Sequence, residues 1–232
     1  MAAGLGTRFG RYTELVPKGF VEVGGEAMII RSVRTLLACG IERIILGTGY
    51  RKEVYEALQA EYPQLECCYS PHYADTNSMY TLYNTRDVIG EDDFLLLESD
   101  LVFERKAVQA LLDCPEPDVM LVSSLTKFQD QYYVEYDGHH ILTACSVNKG
   151  DLDVKGELVG IHKLSNVFYR QMCEDYAGIA ELQPRLGYEY GLLRMSQSRR
   201  PLYVLKIDGL KWYEIDDESD LEYAEKHIVR FC

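Results

Sequence analysis

The chain has 232 residues, 47% of them apolar and 26% charged, with a formal net charge of −13. That length suits one sizeable α/β domain over residues 1–232 and is short for two. The acidic balance argues against a nucleic-acid groove or an anionic membrane surface as the general partner, no apolar run approaches the roughly 18 residues of a membrane span, and no secretory leader is recognisable, so a cytoplasmic location is expected.

The chain opens on MAAGLGTRFG, a loop by composition, because Gly4 and Gly6 among small neighbours favour neither helix nor strand. A short strand (Phe20 to Val23), a Gly-Gly turn and a helix follow; Met28, Ile29, Val33, Leu36 and Leu37 recur at helical spacing and Gly40 stops them. ERIILGTGY reads as a buried strand, then come a helix (Lys52 to Glu61) and a strand (Leu65 to Tyr69). The pattern predicts a helix from Ser78 to Val88 capped by Asn77, the strand DDFLLLESD, a helix from Arg105 to Asp113 and the strand DVMLVSSL.

From Gln131 to Val147 the pattern becomes a hairpin with Asp137-Gly138 at its turn. KGELVGIHKLS returns to strand, Ser165 caps a helix to about Tyr176, and a Tyr- and Leu-rich helix follows Gly187. A strand near Tyr203 to Ile207, then WYEIDDESDLEYA, closes the chain with a strand running into a helix. Apolar strands alternating with helices predict a Rossmann-like three-layer α/β/α fold with a mostly parallel sheet and a β-hairpin excursion. Seven cysteines without CxxC spacing read as reduced, mostly buried thiols, and the five histidines form no metal-ligand spacing and no triad with a serine.

Three features carry chemistry. Backbone N–H groups around Gly4 and Gly6 can line up on phosphate oxygens, and Arg8 with Lys18 of VPKGF supplies two cations for a triphosphate. LLLESD places Asp100 at the carboxyl end of a strand, where open α/β sheets bind ligands. Glu214 and Asp216, one residue apart, project to one side of an extended segment. A phosphate loop, two cations and acids from two strand ends match what a Mg²⁺-dependent phosphoryl-group enzyme requires.

These residues, in this order, resemble the sugar-phosphate nucleotidylyltransferase superfamily: Ala2-Ala3-Gly4-Leu5-Gly6-Thr7-Arg8 and Pro17-Lys18 stand where it carries AAGxGTR and a proline-lysine. YADTNSMYTLYNTRDVI is similar to the phosphocholine and 2-aminoethylphosphonate cytidylyltransferases, and LLLESDLVFE, VGIHKLS and WYEIDDESDLEYA are closer to the second. The resemblance implies CMP transfer from CTP to a small zwitterionic phosphonate or phosphate ester, with release of pyrophosphate. Asp100 and Asp216, with Glu214 nearby, would hold Mg²⁺. Ala2, Ala3, Gly4, Gly6, Thr7, Arg8 and Lys18 would grip the nucleotide, with Tyr73, Asn77 and Ser78 reading cytosine.

The acceptor would be held by Lys163 at its anionic end and by Glu189, Tyr188, Tyr190 and Trp212 at its cationic end, with Ser124 and Lys127 as further candidates. For the tyrosines, among 18 in the chain, core packing is the competing reading. Phosphocholine and sugar 1-phosphates are the alternative acceptors; a CTP-binding regulatory module is the non-enzymatic alternative, and a homodimer is left open. In the superfamily an apolar first strand of five or six residues precedes the glycine loop, whereas here Met1 is followed at once by Ala2. The expectation is that the full-length protein carries that strand and that this form is poorly stable or inactive, unless the sheet closes without it or borrows a strand.

Overall fold

A computed structural model of the protein describes residues 1–126 and 131–232. Two 3₁₀ turns, Thr7–Thr13 and Lys18–Phe20, lead into a small hairpin of β1 (Glu22–Val23) and β2 (Glu26–Ala27) and then helix α1 (Met28–Ala38). Next come β3 (Ile44–Thr48), α2 (Lys52–Ala57), β4 (Leu65–Tyr69), α3 (Ser78–Asn84), α4 (Arg86–Ile89), β5 (Phe94–Leu97), β6 (Leu101–Phe103), α5 (Lys106–Asp113) and β7 (Val119–Ser123). The rest is β8 (Tyr133–Tyr136), β9 (Leu142–Ser146), β10 (Gly156–Leu164), α6 (Asn166–Ala177), α7 (Tyr188–Ser198), β11 (Tyr203–Ile207), β12 (Trp212–Glu214) and α8 (Glu218–His227).

Local chemistry explains most boundaries. α1 buries Met28, Ile29, Ser32, Val33 and Leu36 on one face and ends in a Schellman turn: Gly40 takes φ +85°, its N–H donates to Leu37 O, and Ile41 N–H donates to Leu36 O. The helix expected over 78–88 breaks into α3 and α4 at Thr85, whose hydroxyl donates to Leu82 O at 2.6 Å. A hydroxyl bonded back to the preceding turn bends a helix. In the β8–β9 hairpin the Asp137 carboxylate accepts from His139 N and Ile141 N, and the left-handed residue is His140 (φ 61°), not Gly138.

The strand order β11-β7-β10-β5 forms one half of the main sheet, and β3-β4 forms the other. β11 is parallel to β7 and β3 to β4, but β10 runs antiparallel to β5, β7 and β8, so the sheet is mixed. Alternate residues of β7 face opposite cores. Met120 and Val122 pack with α3, α6 and α7; Val119 and Leu121 pack with α1 and α5. That alternation, apolar on both faces, makes the three layers expected from the sequence. All seven cysteines are free, and only Cys145 and Cys173 are fully buried, fewer than expected.

Between β3 and β5 the sheet does not close. Ala2 makes a parallel bridge to Thr48, with its N–H donating to Gly47 O at 2.8 Å, and the Met1 ammonium donates to Leu97 O at 2.6 Å. Below these two residues lies a cavity of about 450 Å³, walled by Ile44–Gly47 on one side and Phe94–Leu97 on the other, and capped by Ile29, Val33, Leu82 and Ile89 from the two helical layers. Burial pushes the Met1 ammonium below its usual pKa, offset in part by Glu98 and Asp100.

Candidate active site

The site forms where several strands end together. After β5, Glu98 donates its N–H to Gly160 O at 3.1 Å, and Ile215 N–H, just past β12, donates to Asp100 O at 3.0 Å. Pairing of β12 with β6 puts Glu214 opposite Leu101. Carboxylate oxygens of Glu98, Asp100 and Glu214 thus all lie within 4.8 Å of one another. Lys18 reaches the same place because Gly19 behind it has no side chain: a Cβ there would lie 2.9 Å from the Tyr55 hydroxyl and 3.3 Å from Ser99 O.

Lys18 Nζ donates to Asp100 Oδ2 at 2.5 Å and to Asp216 Oδ1 at 2.6 Å; Arg8 Nη2 donates to the same Asp216 oxygen at 2.7 Å. The Arg8 side chain remains 57% exposed while that of Asp216 is 4% exposed, so Arg8 bridges solvent and cleft. Burial works against a charge on Lys18, yet Asp100 and Asp216 outweigh it and raise its pKa. Burial also opposes ionisation of Asp100, but Lys18 holds its carboxyl below the usual range.

The glutamates behave oppositely. Burial pushes Glu98 up to about 8, with Asp100 and Glu189 adding to the effect, and pushes Glu189 up to about 7. Glu214 is raised well above the usual range by burial and then by Glu98, Asp100 and Asp216. A cleft whose acids resist ionisation needs more positive charge than its own side chains bring. An all-carboxylate donor set is the one hard divalent cations such as Mg²⁺ take, and Asp100 and Glu214 fit such an ion, with Glu98 on one side of them and Asp216 joined to Asp100 through Lys18 on the other.

The glycine loop lies beside this cluster. Gly6 is left-handed (φ 64°), and its carbonyl accepts from Phe9 N–H at 3.1 Å and from the Thr13 hydroxyl at 2.9 Å, closing the loop. Gly4, Thr7 and Arg8 are exposed, while Ala2 and Ala3 are buried against β3. Past β4 a turn brings Tyr73 over Gly49, where a Cβ would meet Tyr73 Cγ at 2.6 Å and Ala3 O at 2.5 Å. Tyr73, Gly49 and the Ala2-Ala3 backbone therefore form one continuous wall.

Several expected residues serve other purposes. Asn77 caps α3, accepting from Ser78 N at 2.8 Å and donating to Arg185 O at 3.3 Å, and Ser78 Oγ accepts from Tyr188 N at 3.0 Å. The pair ties α3 to the start of α7. Trp212 is 1% exposed, its indole N–H donating to Ser123 Oγ at 2.7 Å, so it is core and not an acceptor wall. Lys163 donates to Cys114 O at 2.7 Å, capping α5. It stands three residues beyond Gly160 along β10, roughly 10 Å from Glu98 at ~3.4 Å per residue and toward the opposite end of the sheet. Ser124 donates to Asp208 on the surface, and Lys127 lies outside the described residues.

Tyr188, also expected at the acceptor, is 1% exposed and donates its hydroxyl to Glu98 Oε1 at 2.6 Å. Glu189 is 7% exposed, and its Oε2 is buried without a hydrogen-bond partner. Tyr190 packs edge-on against Tyr132 with ring centroids 5.7 Å apart. Glu98, Tyr132 and Gly49 join the site without having been among the expected residues; Glu98 carries a signal in the sequence, since it directly follows the apolar strand, two residues before Asp100.

Strand-end acids, paired cations and a glycine loop on a three-layer sheet define a nucleotide-handling α/β domain. Residues 1–173 match the family model described as the MobA-like NTP transferase domain, and the chain belongs to that family. Over 238 residues it is 27% identical to the CMP-5'-(3-aminopropyl)phosphonate synthase of Streptomyces rubellomurinus, covering 97% of this chain but 37% of that protein. It is 36% identical over 242 residues to the choline-phosphate cytidylyltransferase of Streptococcus pneumoniae, covering 97% of this chain and 95% of the relative. In fold it is similar to the inositol-1-phosphate CTP transferase of T. maritima, with a TM-score of 0.83 at 18% identity, over 99% of this chain and 93% of the other. Among the described residues no helix is long and apolar enough to cross a membrane.

Proposed function

We propose that this chain transfers CMP from CTP to a small acceptor with an anionic phosphonate or phosphate oxygen at one end and an ammonium at the other, releasing pyrophosphate; 2-aminoethylphosphonate is the acceptor we favour. The observation that carries the reading is the clasp of Lys18 on Asp100 and Asp216 at the mouth of the glycine loop. Arg8 and Lys18 neutralise the triphosphate, and backbone N–H groups around Gly4 and Gly6 orient it. An acceptor oxygen attacks the α-phosphorus, a new P–O bond forms, and the bond to pyrophosphate breaks. Because that oxygen is already ionised, no general base is required, and catalysis is positioning and charge neutralisation. Mg²⁺ held by Asp100, Glu214 and Asp216 would supply Lewis-acid neutralisation of phosphate charge when bound.

The cationic end of the acceptor finds Glu189 and the Tyr132–Tyr190 pair. Similarity to relatives named for an aminopropylphosphonate product and for choline phosphate supports an amino-alkyl acceptor of this type. Phosphocholine is the second reading, favoured by the near full-length likeness to the pneumococcal enzyme. Pyrophosphate release with each of four nucleoside triphosphates against aminoethylphosphonate, phosphocholine, phosphoethanolamine and glucose 1-phosphate, with and without Mg²⁺, tests the proposal. CTP with an amino-alkyl acceptor should dominate; preference for a sugar phosphate, or metal-independent release, would overturn it.

A further inference from the structure

The carboxylates of the cleft fall into two sets. Asp100 and Asp216 carry the ion pairs to Lys18, and Asp216 a second to Arg8. Glu98 and Glu189, among the described residues, make no ion pair with lysine or arginine, and each repels the other's charge. Glu98 is held in place from two sides. Its Oε1 accepts from Tyr188 at 2.6 Å, and Tyr188 Oη lies 3.2 Å from Nε2 of the fully buried His162. Its Oε2 rests over Gly160, where an added Cβ would be only 2.6 Å away.

Glu189 likewise packs over a glycine: its Oε2 is buried without a hydrogen-bond partner against Gly187, and the Tyr132 hydroxyl would lie 3.6 Å from a Cβ placed there. A buried carboxylate oxygen without a donor costs free energy that a ligand N–H can recover.

We infer that Glu98 and Glu189 together seat the ammonium of the acceptor, that Glu98 selects a primary over a quaternary ammonium, and that Tyr188, braced on His162, is its positioning residue. The inference rests on the proposed transfer to an amino-alkyl acceptor. A primary ammonium offers three N–H donors, enough for Glu98 Oε2, Glu189 Oε2 and the Tyr132 hydroxyl together. A trimethylammonium offers none, is bulkier, and leaves Glu189 Oε2 buried and unbonded. The orphaned oxygen of Glu189 is what points to a donor-bearing ligand here.

The test compares 2-aminoethylphosphonate with its N-trimethyl analogue in wild type, Glu98→Gln and Tyr188→Phe, with KM for CTP and the Mg²⁺ activation constant followed in parallel. Wild type should prefer the primary amine. Glu98→Gln should raise KM for aminoethylphosphonate by roughly 10- to 100-fold, the range for a hydrogen bond to a charged group, and shrink the preference over the trimethyl analogue. The CTP and Mg²⁺ constants should stay within about twofold. Tyr188→Phe, which keeps the ring, should move acceptor KM in the same direction by less, with kcat little changed. Equal loss for both acceptors, or a shift in the Mg²⁺ constant in place of acceptor KM, would overturn the assignment and make Glu98 part of the metal shell. A wild-type protein that transfers CMP to neither acceptor would overturn the proposed function itself, and the seat with it.

Discussion

The cleft at the strand ends and the slot between β3 and β5 share Met1, Glu98 and Ser99 along their border, yet they are shaped by opposite forces. In the cleft, carboxylates from β5, β6 and β12 crowd around one lysine, and the unmet need is positive charge. In the slot, aliphatic side chains from both helical layers and two strand edges surround about 450 Å³, and the unmet need is apolar volume and backbone partners. The first is expected to respond to ions and pH, the second to added side chains. The two regions are therefore separable by experiment, although they adjoin.

The largest effect falls in the cleft. Asp216→Asn keeps the shape and removes the charge that Lys18 and Arg8 both contact; turnover should drop roughly 10²- to 10³-fold, the scale of losing one preorganised electrostatic contact in a transition state, with KM for the acceptor little affected. Wild-type turnover in a pyrophosphate-release assay would remove Asp216 from the machinery. Next, Lys18→Gln leaves Asp100 and Asp216 facing one another without their shared cation. It should cost activity and about 3–5 kcal/mol of stability, the range for breaking a buried pair from one side, read as a fall in denaturation midpoint. Partial recovery of that midpoint by added Mg²⁺ would sharpen the contrast with the slot, where ions should do nothing.

The slot is probed by extension. Five β-branched residues placed before Met1, continuing the Ala2–Thr48 bridge between β3 and β5, should bury apolar side chains at roughly 1.5–3 kcal/mol each against about 1–2 kcal/mol of backbone entropy each. A net gain of a few kcal/mol corresponds to a Tm rise of about 5–10 °C in a chain of this size, whereas five Gly/Ser residues should give none. Equal Tm for the two extensions would show that the slot does not accept a strand.

The smallest effect is pH dependence. Glu98 and Glu189 have folded-state pKa values of about 8 and about 7 against 4.5 for an ordinary glutamate. Between those limits the folded chain binds more protons than the unfolded one, so their contribution to stability is present at low pH and is lost as pH rises through 7 and 8. The Tm of the ligand-free protein should therefore decline from pH 5 to pH 8. The decline should be shallower in Glu98→Gln, a variant that is neutral throughout; parallel curves would contradict the assignment of the slope to Glu98.

Much of this was legible in the sequence because it is local. The Schellman stop at Gly40, the Ser165 cap, with Oγ accepting from Phe168 N at 3.2 Å, and the alternation of β7 all follow from residue types at fixed spacings. Asp100, Glu214, Asp216 and Lys18 were recognisable from their places relative to strands and loop, and the structure brings them together. What was not legible depends on long-range register. The antiparallel run of β10 turns Lys163 away from the cleft and brings Gly160 to Glu98, and spacing within KGELVGIHKLS does not reveal strand direction. The Asn77 cap is legible as a helix start, but the indole N–H of Trp212 satisfied by Ser123 and the amide of Asn77 donating to Arg185 are contacts across 89 and 108 residues. Sequence neighbours carry no trace of them.

The measurement that bears most directly on the account is pyrophosphate release by the wild-type chain with CTP and 2-aminoethylphosphonate in the presence and absence of Mg²⁺, set against UTP, ATP and GTP and against glucose 1-phosphate. The account predicts turnover with CTP and the aminophosphonate that requires the metal and falls away with the other nucleotides and with the sugar phosphate. Metal-independent release, or faster turnover with glucose 1-phosphate and a different nucleotide, would contradict it.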